Sequence, residues 1–301
     1  MSRFFQTDLP SSSSCIKPDR ISLADCLACS GCITASEKES FRVDTSFLSN
    51  KDQTYSFILS SQSKENISRL YPEINYCSFE KSLVKFLKEH FSVYKVVDTS
   101  YFRKGTEVGI SSECPAVVLY VERVFPSLIP MLSTRKTFQQ TAADFITNGG
   151  KNHAPSIKDH KIVSVMQCYD KKDELRRDNT DISYFLGTKE FYEFLKDKFH
   201  PENSIEYEVL PWEVSHSQDI MEVSGIESCI NHLNKAKHSS QCGFVELRIC
   251  KSGCINGPAQ LRNSDEVLER VISVERHGSV HFDTEERQFI IPKKRTFRVE
   301  W

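Results

Sequence analysis

The stretch Glu246–Gln260, Glu-Leu-Arg-Ile-Cys-Lys-Ser-Gly-Cys-Ile-Asn-Gly-Pro-Ala-Gln, constrains this chain more than any other. Apolar and polar β-formers alternate from Phe244 to Ile249 and predict a short strand. Cys250, Gly253, Cys254 and Gly257 then predict a tight loop carrying two thiols. Two thiolates four residues apart supply only half of a four-thiolate shell, so a metal site here requires partners from elsewhere in the chain.

The chain holds eleven cysteines in 301 residues, an odd number that in a reducing compartment reads as metal ligands or buried thiols rather than a disulfide framework. Hydrophobic content of 39% and charged content of 27% are those of an ordinary globular protein, long enough for one large domain or two lobes. A net charge of -2 argues against bulk electrostatic binding to nucleic acid or anionic membrane, and the basic run Lys293, Lys294, Arg295 and Arg298 reads as a solvated segment. No apolar run reaches the roughly 18 residues of a membrane helix, and the opening residues, with Asp8, Pro10 and Ser11 to Ser14, lack the apolar core of a signal peptide. The expectation is a cytosolic protein without a nucleic-acid or membrane partner.

Residues 1–50 show little hydrophobic period but contain Cys15, Cys26, Cys29 and Cys32. The CxxCxxC run lets one loop wrap three corners of an iron-sulfur cube, with Cys15 as the candidate fourth; a zinc ion or unrelated free thiols are the competing readings. Beyond residue 50 the hydrophobic pattern alternates between strand and helix. Strands are expected at Tyr55–Leu59, Tyr94–Val97, Ile162–Met166 and Ile182–Leu186, with helices at Ser78–Phe91, Val117–Phe125, Thr137–Asn148 and, N-capped by Thr188, through Phe199. A further helix is expected over Asp265–Val274. This alternation predicts an α/β architecture with mostly parallel strands, whose ligands collect at strand carboxyl ends. Cys168 and Cys250 both follow such strands and are expected at equivalent ends of one sheet. Cys114 precedes a helix whose dipole favours a thiolate.

Ser112-Glu-Cys-Pro-Ala116, Met166-Gln-Cys-Tyr-Asp-Lys-Lys-Asp-Glu174 and Ile249-Cys-Lys-Ser-Gly-Cys-Ile-Asn-Gly257 resemble, in order, the three signature loops of iron-only hydrogenases. Ile58–Gln62, Asp98-Thr99 and Asp181–Glu190 also look like segments of that family. Within it, the short four-cysteine N-terminal segment and the terminal Val299-Glu300-Trp301 resemble the Nar-type, or nuclear prelamin A recognition factor-like, proteins of cytosolic iron-sulfur assembly. The resemblance implies two 4Fe-4S clusters, one on Cys15, Cys26, Cys29 and Cys32 and a buried one on Cys114, Cys168, Cys250 and Cys254.

It also implies a division into a cluster-binding segment (1–50), a hydrogenase-like core of two α/β lobes (51–290) and a tail (291–301). Lys171 and Glu174 keep the family spacing after Cys168 and would support that loop, the competing reading being exposed charges at a helix start. Val299, Glu300 and Trp301 would dock on the late targeting complex, and the protein would bridge that complex to an early scaffold in cytosol and nucleus. Hydrogenases have a second cysteine where this chain has Glu113, so the resemblance implies an assembly factor without hydrogenase activity. A hydrogenase or electron-transfer enzyme, and a zinc-stabilised interaction protein, are the alternatives. Gln167 replaces a family proline and Pro258-Ala259 two glycines. Cys77, Cys229 and Cys242 match no ligand position and read as structural thiols.

Overall fold

A computed structural model describes residues 45–50, 52–103, 108–148, 160–178, 180–203, 220–238 and 243–261. The cysteines at 15, 26, 29, 32 and 242, the helix expected over 265–274 and the tail 291–301 lie outside the described residues. Two parallel sheets organise the rest. In the first, β1 (Thr54–Leu59), β2 (Ser92–Asp98), β4 (Lys161–Met166) and β5 (Tyr184–Gly187) lie in the order β2-β1-β4-β5. In the second, β3 (Gly109–Ile110), β6 (Met221–Ser224) and β7 (Phe244–Arg248) lie in the order β3-β7-β6.

β1 carries apolar residues on both faces, interrupted by the buried Ser56, because both faces are covered, as parallel sheets require. Phe57 and Leu59, with Val163 and Val165 of β4, pack against helix α2 (Tyr76–His90) through Phe79, Leu83, Phe86 and Leu87. Ile58, Ile162 and Val97 point to the opposite face and meet Ala142, Ala143, Phe145 and Ile146 of helix α4 (Phe138–Asn148). The second sheet has its own core. Ile110, Val245 and Leu247 pack between helix α3 (Pro115–Val124), through Val117, Val118 and Val121, and helix α7 (Ile226–Ala236), through Cys229 and Leu233.

Helix α1 (Ser61–Ser68) is capped by the Ser60 hydroxyl, which accepts from Ser63 N. Asn75 caps α2 by accepting from Ser78 N, so the helix starts before the Ser78 expected from the pattern. Helix α5 (Asp170–Asp178) follows β4, and helix α6 (Thr188–Leu195) follows β5. The expectation that Thr188 caps α6 is corrected: Gly187 holds the cap position, Thr188 is already helical, and its hydroxyl donates to Ser63 Oγ at 2.7 Å. The strands β3 and β6 and helix α7 were not expected, although Ile226, Ile230 and Leu233 carry a helical period. Among the described residues, no helix is long and apolar enough to cross a membrane.

Residues 249–261 tie the two sheets together. The segment leaves β7, turns through Ser252 in the left-handed region (φ 60°) and a single 3-10 turn over Gly253–Asn256, and then docks on the first sheet. There Ala259 N donates to Gln167 O (3.1 Å), Lys189 N to Ala259 O (3.1 Å), and Leu261 N to Asn66 Oδ1 (2.8 Å). Gly257 has ordinary φ but lies so close that a Cβ there would fall 2.2 Å from Gln167 O. Backbone meets backbone at that point, and a side chain has no route to move aside. Gly257→Ala is therefore expected to lower stability by about 1–3 kcal/mol through overpacking. Chemical denaturation checks it, and an unmoved unfolding midpoint would refute the close approach.

Candidate metal centre

Each thiol of the second constellation sits just beyond the carboxyl end of a strand. Cys114 follows β3 and is the N-cap residue of α3, whose Pro115 suits the first helical position. Cys168 lies between β4 and α5, and Cys250 and Cys254 lie in the segment after β7. The expectation of equivalent ends of one sheet is corrected: Cys168 comes from the first sheet, and Cys114, Cys250 and Cys254 come from the second. They converge because residues 249–261 cross between sheets. In the first sheet β1 lies between β2 and β4, so the strand order reverses beside β4, where open α/β sheets place their ligands.

All four thiols are free and partly buried, and each lies within electrostatic reach of at least two others. Burial pushes Cys168 well above the ordinary thiol range, reinforced by Asp170, Cys250 and Cys114. Cys250 is raised strongly for the same reason, with Cys114 and Cys254 adding to it. Cys254 rises to about 11, burial outweighing the pull of Arg248 and of a hydrogen bond from the Gln167 side chain. At Cys114 burial also prevails. The backbone amides of Ile249 and Val117 favour the thiolate there, so the expected effect of the helix start is real but smaller than desolvation.

Four neighbouring thiols whose burial disfavours the free thiolate fit a group that binds thiolates and neutralises them. Among the described residues, no three His, Cys, Asp or Glu side chains close on a geometry that would hold a single metal ion. Four thiols from three loops are the donor set of a polynuclear iron-sulfur cluster.

Lys171 and Glu174 are both about 2% exposed, which overturns the reading of exposed helix-start charges. Lys171 Nζ lies 3.0 Å from Glu174 and 3.3 Å from Glu113 Oε2. The other Glu113 oxygen accepts from Phe138 N at 2.7 Å, so this carboxyl caps α4 and also links α5 to the Cys114 loop. Its pKa is raised to about 7 by burial, partly countered by Lys171 and increased again by Glu174 and Glu246. A second charged network, not evident from the sequence pattern, lies on the β6–β7 side of the thiol loop. Arg248 Nε bonds Glu246 Oε1 at 2.9 Å and Nη1 lies 3.2 Å from Glu222, while Arg103 Nη2 reaches Glu246 at 2.9 Å and also contacts Glu222. The available signal was Arg248 and Glu246 sharing one face of a strand ending at a cysteine.

Cys229 is buried in the second core. Its thiol donates to Arg248 O at 3.4 Å and Val223 O at 3.5 Å, as a structural thiol does, while Cys77 is exposed.

The family model described as iron only hydrogenase large subunit, C-terminal domain, matches residues 90–219. A FeFe-hydrogenase from Chlamydomonas reinhardtii has a similar fold, with a TM-score of 0.57 at 14% identity over 80% of this chain and 88% of that one. Another FeFe-hydrogenase gives a TM-score of 0.56 at 15% identity over 87% and 90%. The two-sheet architecture is thus that of the hydrogenase large subunit. By sequence the chain is 31% identical to the cytosolic Fe-S cluster assembly factor NAR1 of Candida albicans over 54% of this chain but only 32% of that protein, so it spans about a third of that longer relative. Protein NAR1 of Arabidopsis thaliana is 33% identical over 58% of this chain and 43% of its own length. The cytosolic Fe-S cluster assembly factor NAR1 of Encephalitozoon cuniculi is 32% identical over 91% of this chain and 90% of that protein, and on that similarity the chain belongs to the NAR1 family of iron-only-hydrogenase-like proteins.

Proposed function

We propose that this protein is a component of cytosolic iron-sulfur protein assembly that binds two 4Fe-4S clusters and links an early scaffold to the late targeting complex. The observation that carries the reading is the meeting of Cys114, Cys168, Cys250 and Cys254 at the carboxyl ends of strands from two sheets. The printed names of the relatives, cytosolic Fe-S cluster assembly factors, support the same process. The division of labour follows the chain: residues 1–50 hold the first cluster on Cys15, Cys26, Cys29 and Cys32, residues 51–290 hold the second, and residues 291–301 end in the docking tail Val299-Glu300-Trp301.

When bound, such clusters supply one-electron redox chemistry and exchangeable iron and sulfide. The chain's own residues enclose and orient. Gly257 and Ala259 hold the two-thiol loop against the first sheet, and Gln260 Nε2 donates to Gln62 O at 2.9 Å to fix its exit. Lys171 places a buried positive charge beside the Cys114 loop and is itself held by Glu174 and Glu113. The position that holds a proton-passing cysteine in hydrogenases is here a carboxyl engaged by a helix start and a lysine, which supports a protein without hydrogenase activity. In this reading the N-terminal cluster, held by a short polar segment, is the exchangeable one, and the enclosed cluster holds the lobes together. In this reading the work is done in the cytosol and also in the nucleus.

Iron, acid-labile sulfide and zinc analysis of anaerobically purified protein tests the cofactor assignment. About eight iron and eight sulfide per chain, halved in each of the separate variants Cys26→Ala and Cys250→Ala, is the expected result. About one zinc with no sulfide would overturn it in favour of a zinc-stapled interaction module.

The docking tail has a separate test. Deletion of Trp301 is expected to abolish pull-down of the targeting complex while leaving the iron and sulfide content intact. Undiminished pull-down would remove the tail from the reading.

A further inference from the structure

Cys254 differs from the other three thiols in what surrounds it. The loop closes over Arg248, the last residue of β7: a Cβ built on Gly253, at φ 80°, would lie 3.3 Å from Arg248 Cδ and 3.6 Å from Nη1. Glycine at 253 therefore lets the loop rest directly on the guanidinium. That guanidinium is about 9% exposed and cannot swing away, because Glu246 holds Nε at 2.9 Å and Glu222 holds Nη1 and Nη2, each at 3.2 Å. Its backbone is fixed as well, Arg248 O accepting from Gly225 N at 3.0 Å.

From the other sheet, Gln167 meets the same loop: its backbone carbonyl accepts from Ala259 N at 3.1 Å, a Cβ on Gly257 would touch both that carbonyl and Cys254 O, and its side-chain Oε1 is buried with no hydrogen-bond partner among the described residues. Its side-chain amide and the Arg248 guanidinium both favour the Cys254 thiolate. A permanent positive charge and a side-chain amide thus flank the Cys254 loop, the two groups coming from the two sheets the loop joins. Both favour the more negative state of whatever the sulfur binds, and for a thiolate-bound cluster that state is the reduced one.

We infer that Arg248 and Gln167 are positioning residues for Cys254, holding that corner of the second cluster and raising its reduction potential. The inference rests on the cluster reading above and adds to it a specific electrostatic asymmetry. Arg103 and Glu222 complete the device at its solvent side, where they are 24% and 29% exposed by side chain. Removing a positive or a negative member should therefore move the potential in opposite directions. A merely structural role has no reason to reverse sign.

The test is an EPR-monitored redox titration with dithionite on the full-length protein. It follows the one-electron reduction of a 4Fe-4S cluster from the 2+ to the 1+ state and uses the signal that disappears in Cys250→Ala. Arg248→Met and Gln167→Leu are expected to shift the midpoint to more negative values, and Glu222→Gln to less negative ones. Arg248→Lys is expected to stay nearer the wild type than Arg248→Met, and iron and sulfide content are measured alongside. Should Arg248→Met fail to fold, Gln167→Leu and Glu222→Gln decide by the opposite signs of their shifts. Midpoints that do not move, or that all move the same way, would overturn the inference while leaving the cluster in place. A wild-type protein with no signal dependent on Cys250 would overturn the cluster reading and this inference together.

Discussion

The approach of residues 249–261 to the end of β4 is the contact on which the rest of the structure depends. One short segment, leaving the second sheet, gives its backbone to the first through Ala259 and Lys189 and leaves no room for a side chain at Gly257. Together with the links from Glu113 to Phe138 N and Lys171 and the Arg103–Glu246 pair, that approach joins two parallel sheets that each have their own apolar core and brings the loops of Cys168 and Cys250 into one body. The requirement is steric before it is chemical. Close backbone contact is available only where glycine removes the Cβ, and the hydrogen bonds on either side convert proximity into a fixed register.

Charge is buried on both sides of this junction, and the arrangement explains how it is tolerated. At the carboxyl ends of β1 and β2, Lys64 is about 2% exposed, lies 2.6 Å from Asp98 and contacts Glu80. Burial alone would push the Lys64 ammonium toward neutrality, but Asp98 and Glu80 outweigh it and the pKa rises. Asp98 is satisfied further by Ser61 Oγ and Ser100 N, at 2.7 and 2.6 Å. The Arg103–Glu222–Glu246–Arg248 network follows the same rule with two charges of each sign, and Glu246 is lowered because the two arginines overcome its burial. Breaking one partner of such a set is costlier than never having built it, since the remaining charge stays in place without compensation. Such sets make rigid ground for a cofactor site, and this chain has one on each side of its thiols.

The pattern of the sequence revealed the strands of the first sheet, because a short stretch rich in β-formers such as Tyr55–Leu59, closed by Ser60 and Ser61, has few other uses. It also revealed the thiols, because a cysteine after a strand is where a parallel sheet presents ligands. The two-residue β3 and the half-exposed β6 were not legible: neither carries enough apolar period to distinguish it from loop, and their pairing with β7 is a tertiary fact. The assignment of Cys168 and Cys250 to one sheet failed for a related reason. Alternation shows that strands are parallel but not how many sheets they form. Lys171 and Glu174 were ambiguous because a Lys-Lys-Asp-Glu run has the composition of a solvated helix start, and only their mutual pairing against Glu113 pays for burying them.

The two proposed cluster sites differ in what their ligands cost to assemble. Cys26, Cys29 and Cys32 lie within seven residues of sequence, so bringing them together closes little chain. Cys114, Cys168 and Cys250 are separated by whole strands and helices, and they meet only after both sheets have folded and residues 249–261 have docked. A group bound by all four thiols of that second set therefore binds the joined state of the lobes and not the parted one, and mass action makes it a stabiliser of the junction itself. The same linkage runs in reverse. Anything that loosens the approach at Gly257 weakens the hold on the group. Retention at the second set then follows from chain topology, before the chemistry of its thiolates is considered.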